Sequence, residues 1–151
     1  MMRPFRFIMI LVLAGVTYPL AAAPPQQAEL ARHQGTWSVL SFRREGKDTP
    51  AEITQTIIRI VEGDHVVWKR EGKSFAATKV ELDPSKSPAT IDVIPDGGPA
   101  RDKRILGIYK LEGNRLTICM ADADQPRPTE FKAEQGSKWT LMRFERKTAD
   151  R

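Results

Sequence analysis

The sequence predicts an all-β domain, an eight-stranded antiparallel up-and-down barrel that is preceded by a short helix. From residue 36 onward, short segments rich in Val, Ile, Thr and aromatic residues alternate with turns that contain Gly, Asp, Asn or Pro. Consecutive hairpins leave two unpaired sheet edges, and closure into a barrel removes both. A two-sheet sandwich is the alternative architecture. The predicted strands are 36–43, 53–61, 65–70, 74–82, 90–94, 104–111, 115–120 and 138–146.

The first 23 residues have the three parts of a secretory signal. Two arginines precede an apolar run from Phe7, and three alanines ending at Ala23 follow it. An uncleaved membrane anchor is the alternative, because the run is near the lower length limit of a spanning helix. Gly15 and Pro19 weaken such a helix, so we predict cleavage after Ala23. The expected product is secreted or periplasmic and does not insert stably into a membrane.

The remaining chain has the length of one domain. Removing 23 of the 151 residues leaves 128, which suits a single modest core. We divide the chain into a signal peptide (1–23), a linker with a short helix (24–34), a barrel domain (35–147) and a tail (148–151). The net charge of +5 falls to +3 when the two leader arginines are removed. Basic and acidic residues are interleaved rather than clustered, so no nucleic-acid partner is predicted.

The segments before and between the strands also indicate local structure. The sequence QQAELARHQ has helix-forming composition for about two turns, and Gly35 is a helix stop signal. Hairpin turns are predicted at 62–64, 71–73 and 112–114, where a glycine can adopt a positive φ. The longest connections are 95–103 and 121–137, and long loops at the end of a barrel are a usual place for binding residues.

The alternation along each strand does not show which face points inward. In the last predicted strand both faces mix apolar and polar residues, so the alternation leaves the barrel interior unassigned. One face of that strand carries Thr140, Met142, Phe144 and Arg146, and the other carries Trp139, Leu141, Arg143 and Glu145.

Residues with catalytic or metal-binding chemistry are few. Cys119 is the single cysteine, which excludes an internal disulfide, and a small buried hydrophobe is favoured over a reactive thiol or an intermolecular disulfide. His33 and His65 have no nucleophile or acid at a defined spacing, so no catalytic residue and no enzyme are predicted. Asp122 and Asp124 supply too few oxygens for a calcium loop, so no metal and no cofactor are predicted.

Four blocks in order carry a family resemblance: ELARHQGTWSVLSFRREGKDTP, LGIYKLEGNRLTICMA, RPTEFKAEQGS and a closing strand that ends in arginine. A short helix before a G-x-W on the first strand resembles the pattern of lipocalins and the wider calycin group. As a whole, residues 29–146 resemble the planctomycetal conserved hypothetical domain, an exported lipocalin-like domain of unknown function. The resemblance implies a lipocalin-like barrel and carries no activity with it.

The resemblance also implies a structural pair that closes the barrel. In calycins the tryptophan of the first strand lies at the closed end and an arginine of the last strand covers it. The matching residues here are Trp37 and Arg146. Typical lipocalins carry a long helix after the last strand, and only five residues follow Arg146 here, so such a helix is not expected.

The segment RPTEF, residues 127–131, has two interpretations. In the structural one, prolines stiffen the connection before the last strand, Phe131 packs against a barrel end, and Arg127 holds the loop by hydrogen bonds. In the functional one, Arg127 faces an open mouth and pairs with the anionic head group of a ligand, because its forked donors suit a carboxylate.

Two classes of function remain. One is a carrier that holds a small apolar molecule with a carboxylate, with Trp68 and Tyr109 as apolar wall and Arg127 as polar anchor at the mouth opposite Trp37. The other is a protein-interaction or cell-envelope accessory module with an envelope protein as its partner. In that case bulky side chains fill the barrel and no ligand binds.

Overall fold

The computed structural model describes residues 21–148. The rest of the predicted signal peptide (1–20) and the last residues of the predicted tail (149–151) lie outside the described residues. The elements within the described range are α1 (Pro25–His33), β1 (Gly35–Arg44), β2 (Lys47–Asp48), α2 (Ala51–Thr54), β3 (Ile57–Glu62), β4 (His65–Arg70), β5 (Lys73–Asp83), β6 (Ala89–Pro95), β7 (Ile105–Glu112), β8 (Arg115–Ala121) and β9 (Trp139–Arg146).

The strands form one closed antiparallel sheet. From β3 to β9 each strand pairs with the next along the chain, β1 pairs with β3, and β9 pairs back onto β1. The barrel therefore consists of eight strands, β1 and β3 to β9. The two-residue β2 pairs only with the last residues of β1. The predicted eight-stranded antiparallel barrel with a short N-terminal helix is confirmed. A sandwich would leave the β1 and β9 edges apart, and here they are hydrogen-bonded.

The three predicted hairpin turns are present. They join β3 to β4, β4 to β5 and β7 to β8. Gly63 and Gly113 adopt φ values of 62° and 60° in the first and last of these turns. Residues with side chains rarely adopt this backbone conformation, which explains the glycine at the centre of each tight turn.

The strand predicted at 53–61 is wrong in its first part. Residues 51–54 form the one-turn helix α2, and the strand β3 begins only at Ile57. Pro50 precedes the helix with a φ of −52°, and the hydroxyl of Thr56 donates to the carbonyl of Ile53 at 2.7 Å. Local hydrogen bonds of this kind offer the backbone an alternative to sheet pairing, and they override the strand preference of Ile and Thr.

The two ends of the barrel differ. At one end β1 begins with Gly35 and β9 finishes with Arg146, and α1 packs there with Leu30 against the core. We call this the closed end. At the other end β1 finishes at Arg44 and β9 begins at Trp139. We call this the open end.

The structure assigns the interior face that the alternation left open. Thr140, Met142 and Phe144 of β9 point inward, and Trp37 and Val39 of β1 do the same. A register shift between Val39 and Ser41 changes the alternation of β1. Phe42 and Arg44 therefore face inward, while Leu40 remains 43% exposed. A bulge of this kind inserts one residue and re-aims the side chains that follow it.

The connection between β8 and β9 covers part of the outer wall. Phe131 and Ala133 of this loop pack with outward-facing residues of β7, β8 and β9 to form a second small core. Cys119 is fully buried in this core, and its thiol donates to the carbonyl of Lys132 at 3.2 Å. Burial raises the pKa of the Cys119 thiol. The favoured interpretation of Cys119 as a small buried residue is confirmed.

Candidate ligand-binding site

The closed end is held by an arginine that stacks on a tryptophan. The guanidinium of Arg146 lies 4.1 Å from the centroid of the Trp37 ring, and Trp37 is fully buried. Arg146 also donates to the carbonyl of Arg32 at 2.6 Å and to that of Gln34. The Trp37 indole donates to the carbonyl of His33 at 2.9 Å. These bonds satisfy carbonyls at the end of α1 and fasten the helix to the barrel floor. The structure thus brings together the pair that the family resemblance implies.

Below α1, two buried aromatic rings meet edge to face. The rings of His33 and Tyr109 are 4.9 Å apart, and the side chains are 1% and 3% exposed. Burial is the largest cause that lowers the pKa of His33 to about 3, and the charges of Arg59, Arg32 and Arg146 add to it. Glu29 lies 3.7 Å from His33 Nε2 and by itself would favour the protonated ring. Burial and three cations outweigh one carboxylate at that distance, so His33 is neutral in the folded protein.

The three residues predicted to bind a ligand do not lie together. Trp68 lies in the barrel interior, where its ring is 5.9 Å from that of Phe144. Tyr109 lies at the closed end against His33 rather than at the mouth. The prediction that Tyr109 lies at the rim is therefore wrong. The reason is the register in which β7 pairs with β6 and β8. That register carries residue 109 toward α1.

Arg127 lies on the outer wall of the barrel and not at its mouth. Its Nη1 is 2.6 Å from the carbonyl oxygen of Gly107 and 2.7 Å from a carboxylate oxygen of Asp92, on the outer wall of the barrel. Its Nη1 is thus engaged by the protein itself, at a position away from the barrel mouth. The structural interpretation of the RPTEF segment fits these contacts, and the predicted role of Arg127 as a ligand anchor does not.

The open half of the barrel contains a cavity of about 330 Å³. Its wall is mostly apolar and is formed by inward-facing residues of every barrel strand. At its rim Arg44 and Asp122 form a two-pronged ion pair at 2.6 and 2.8 Å. Residues that contribute to the wall include Phe42, Val66, Trp68, Val80, Ile91, Val93, Ile118 and Met142.

A charged side chain lies inside this cavity. Arg59 of β3 points inward from a position paired with Trp37 on one side and Trp68 on the other. It is 2% exposed, and its guanidinium carbon lies 5.8 Å from the centroid of the Phe144 ring. Its Nη1 is buried and has no hydrogen-bond partner among the described residues. The one acidic side chain in the cavity wall, Asp122, is already paired with Arg44.

The position of Arg59 is electrostatically unfavourable in the empty barrel. Burial lowers its pKa to about 10, so the guanidinium still carries its charge at neutral pH. Transfer of a cation from water into an apolar interior costs several kcal/mol unless a counter-charge or hydrogen bonds offset it. The contact with the Phe144 ring offsets a small part of this cost, about 0.5–2 kcal/mol. The cavity therefore presents a cation that an anion would stabilise.

Sequence reasoning missed Arg59, although a signal exists. In the run IIRIV, residues 57–61, Arg59 shares a strand face with Ile57 and Val61. A charge among β-branched aliphatic residues on one face is unusual for a solvated strand. The signal becomes decisive only when that face is known to be the interior.

Comparisons of the chain with protein-family models, curated proteins and solved structures found no match. Among residues 21–148, no helix is long and apolar enough to cross a membrane. No cluster of three or more His, Cys, Asp or Glu side chains in that range is arranged to hold a metal ion. The functional argument therefore depends on the geometry of the cavity.

We predict that removal of Trp37 destabilises the protein strongly. Trp37→Ala should lower the free energy of unfolding by about 3–5 kcal/mol as a large core truncation, and Arg146→Ala by about 1–2 kcal/mol. Because the two side chains are in contact, the double mutant should deviate from the sum of the single mutants by more than about 0.5 kcal/mol. Denaturant titrations of the three variants measure this coupling. Simple additivity would show that the stacked contact is energetically unimportant.

We also predict a dependence of stability on pH that arises from His33. The unfolded chain binds a proton on this residue below about pH 6.5, whereas the folded chain binds it only near its pKa of about 3. Stability should therefore fall as the pH drops from 6.5 toward 3, by at most about 1.4 kcal/mol per pH unit from this group. Urea titrations over this range give the free energy of unfolding at each pH. His33→Gln should flatten its dependence on pH, whereas His65→Gln, which changes an exposed histidine, should leave that dependence as in wild type. An unchanged slope in His33→Gln would contradict the assignment.

Proposed function

We propose that the protein binds a small amphipathic anion inside its barrel, with an apolar body in the cavity and an acidic head on Arg59. One observation carries the proposal: the buried cation Arg59 faces a cavity and has an unpartnered Nη1. A ligand carboxylate would accept hydrogen bonds from the planar guanidinium, a pairing of good geometry and strength in a dry site. The same contact would replace the counter-charge that the protein itself does not supply.

The remainder of the cavity favours an apolar body for the ligand. The wall consists mainly of aliphatic and aromatic side chains, and Thr78 and Thr140 are the uncharged polar residues among them. An apolar cleft with a few placed polar groups is the usual form of a small-molecule site, and about 300–1,000 Å³ is the usual volume. The cavity of about 330 Å³ lies at the small end of this range.

These features favour the carrier over the filled-barrel accessory module. Bulky Trp37, Tyr109 and Phe144 do fill the closed half, where each is at most 3% exposed. In the open half the cavity remains, and the charged side chain in its wall that lacks an ion-pair partner among the described residues is Arg59. An arginine neither releases nor accepts a proton at neutral pH, so the proposal is binding without a reaction.

We extend the proposal to the place where the protein works. The leader composition supports export to the periplasm or beyond, where a carrier of amphipathic acids would meet its ligands outside the cytoplasm. The resemblance to the exported lipocalin-like domain agrees with this assignment. Mass analysis of the exported form tests it, with an expected first residue of Pro24. Recovery of the intact chain in the membrane fraction would contradict cleavage.

The central prediction contrasts two arginines. Arg59→Met should weaken the binding of carboxylates at least tenfold, yet stabilise the protein without ligand by about 1–4 kcal/mol because it removes an uncompensated buried charge. Arg127→Met should leave binding within twofold and lower stability by about 1–2 kcal/mol, because it removes the bonds to Gly107 and Asp92. Calorimetric titration with octanoate and thermal unfolding without ligand provide the two measurements.

Octanol provides the control for charge. It should bind wild type more weakly than octanoate does, and in Arg59→Met the two should bind alike, because only the head group differs. If Arg59→Met destabilises the protein without ligand and binds octanoate as tightly as wild type does, Arg59 is a structural residue and the proposal fails.

A further inference from the structure

A second recess adjoins the cavity at the open end. It measures about 540 Å³, and Phe42, Ile57, Trp68, Arg70, Phe75 and Met142 line it together with Ala76. We call it the outer lobe and the cavity with Arg59 the inner lobe. Phe42, Trp68 and Met142 belong to both linings. The two volumes are therefore neighbours, and these three side chains border both of them.

An exposed aromatic side chain, Phe75, lies at the edge of the outer lobe. It is 58% exposed, a large fraction for an aromatic side chain of a folded domain. The pairing of β4 with β5 shifts register between Trp68 and Lys69, and Phe75 is the residue of β5 that this shift leaves unpaired. The bulge thus places an aromatic ring beside an apolar recess, where a bound apolar group would cover it.

The volume of the inner lobe limits the ligand that it can hold. At about 30 Å³ per non-hydrogen atom, the share of one water in the liquid, 330 Å³ accommodates roughly 11 atoms. A carboxylate with about nine carbons reaches this limit. A longer acid that keeps its head on Arg59 must extend its chain beyond the inner lobe, and the outer lobe lies on the other side of the three shared side chains.

We infer that the ligand is a long-chain monocarboxylate that binds head first, with its carboxylate on Arg59 and its chain leaving through the outer lobe beneath Phe75. This inference rests on the proposed function and adds the ligand class, its orientation and a residue that selects for chain length. The reverse orientation would place the head beside Arg70, which is exposed to water. It would also place a methyl end against Arg59 and leave that charge uncompensated.

Calorimetric titration with octanoate and dodecanoate, both below their micelle concentrations, tests the inference on the exported form of the protein. Full burial of a methylene raises affinity about fourfold. Because the outer lobe is open, we expect dodecanoate to bind at least tenfold more tightly than octanoate. Phe75→Ser should lower the affinity for dodecanoate at least threefold and the affinity for octanoate less than twofold. Leu40→Ser, which changes the other exposed large apolar residue among those described, should alter neither.

The variants separate the possible outcomes. Arg59→Met should weaken both acids, and Arg70→Met should leave both within about twofold. Equal affinity for the two acids, or an unaltered dodecanoate affinity in Phe75→Ser, overturns the chain path while Arg59-dependent octanoate binding still supports the proposed function. Loss of binding in Arg70→Met but not in Arg59→Met overturns the orientation and the Arg59 anchor together. If neither acid binds wild type, both proposals are overturned.

Discussion

The antiparallel pairing of β1 with β9 is the constraint on which the rest of the structure depends. It closes the sheet, places Trp37 directly opposite Arg146 and turns one face of every strand toward a shared interior. Once the sheet is closed, an inward-facing side chain can reach water only through the two ends. Arg146 and α1 cover one end. The access of an interior polar group to water therefore depends on its distance from the open end.

This closure divides the interior into two unequal halves. Near α1 the space is filled by Trp37, Phe144 and the His33–Tyr109 ring pair, whose side chains are almost completely buried. Toward the open end a cavity of about 330 Å³ remains between the inward-facing side chains. Close packing in one half supplies the stability, and it allows the other half to remain open.

Arg59 lies within this divided interior. A buried cation without a counter-charge lowers the stability of the empty barrel, and a hydrophobic residue of similar length would fit the same wall at a smaller cost. Strained or destabilising groups of this kind are concentrated at binding sites, where the ligand relieves them. Arg127 on the outer wall and Arg44 at the cavity rim show the contrast, because both have carboxylate partners at under 3 Å.

The sequence by itself determined the hairpin turns and all the barrel strands except the start of β3, because alternation and glycine turns are local signals that each segment carries alone. The resemblance added the Trp37–Arg146 pair. The site was not predictable in the same way, since the interior face depends on closure and on the bulge after Val39, both set by strands distant in sequence. For the same reason Tyr109 and Arg127 were placed wrongly and Arg59 was overlooked. Whether a side chain faces a cavity, a helix or water depends on which strands surround it, and only the tertiary structure decides that.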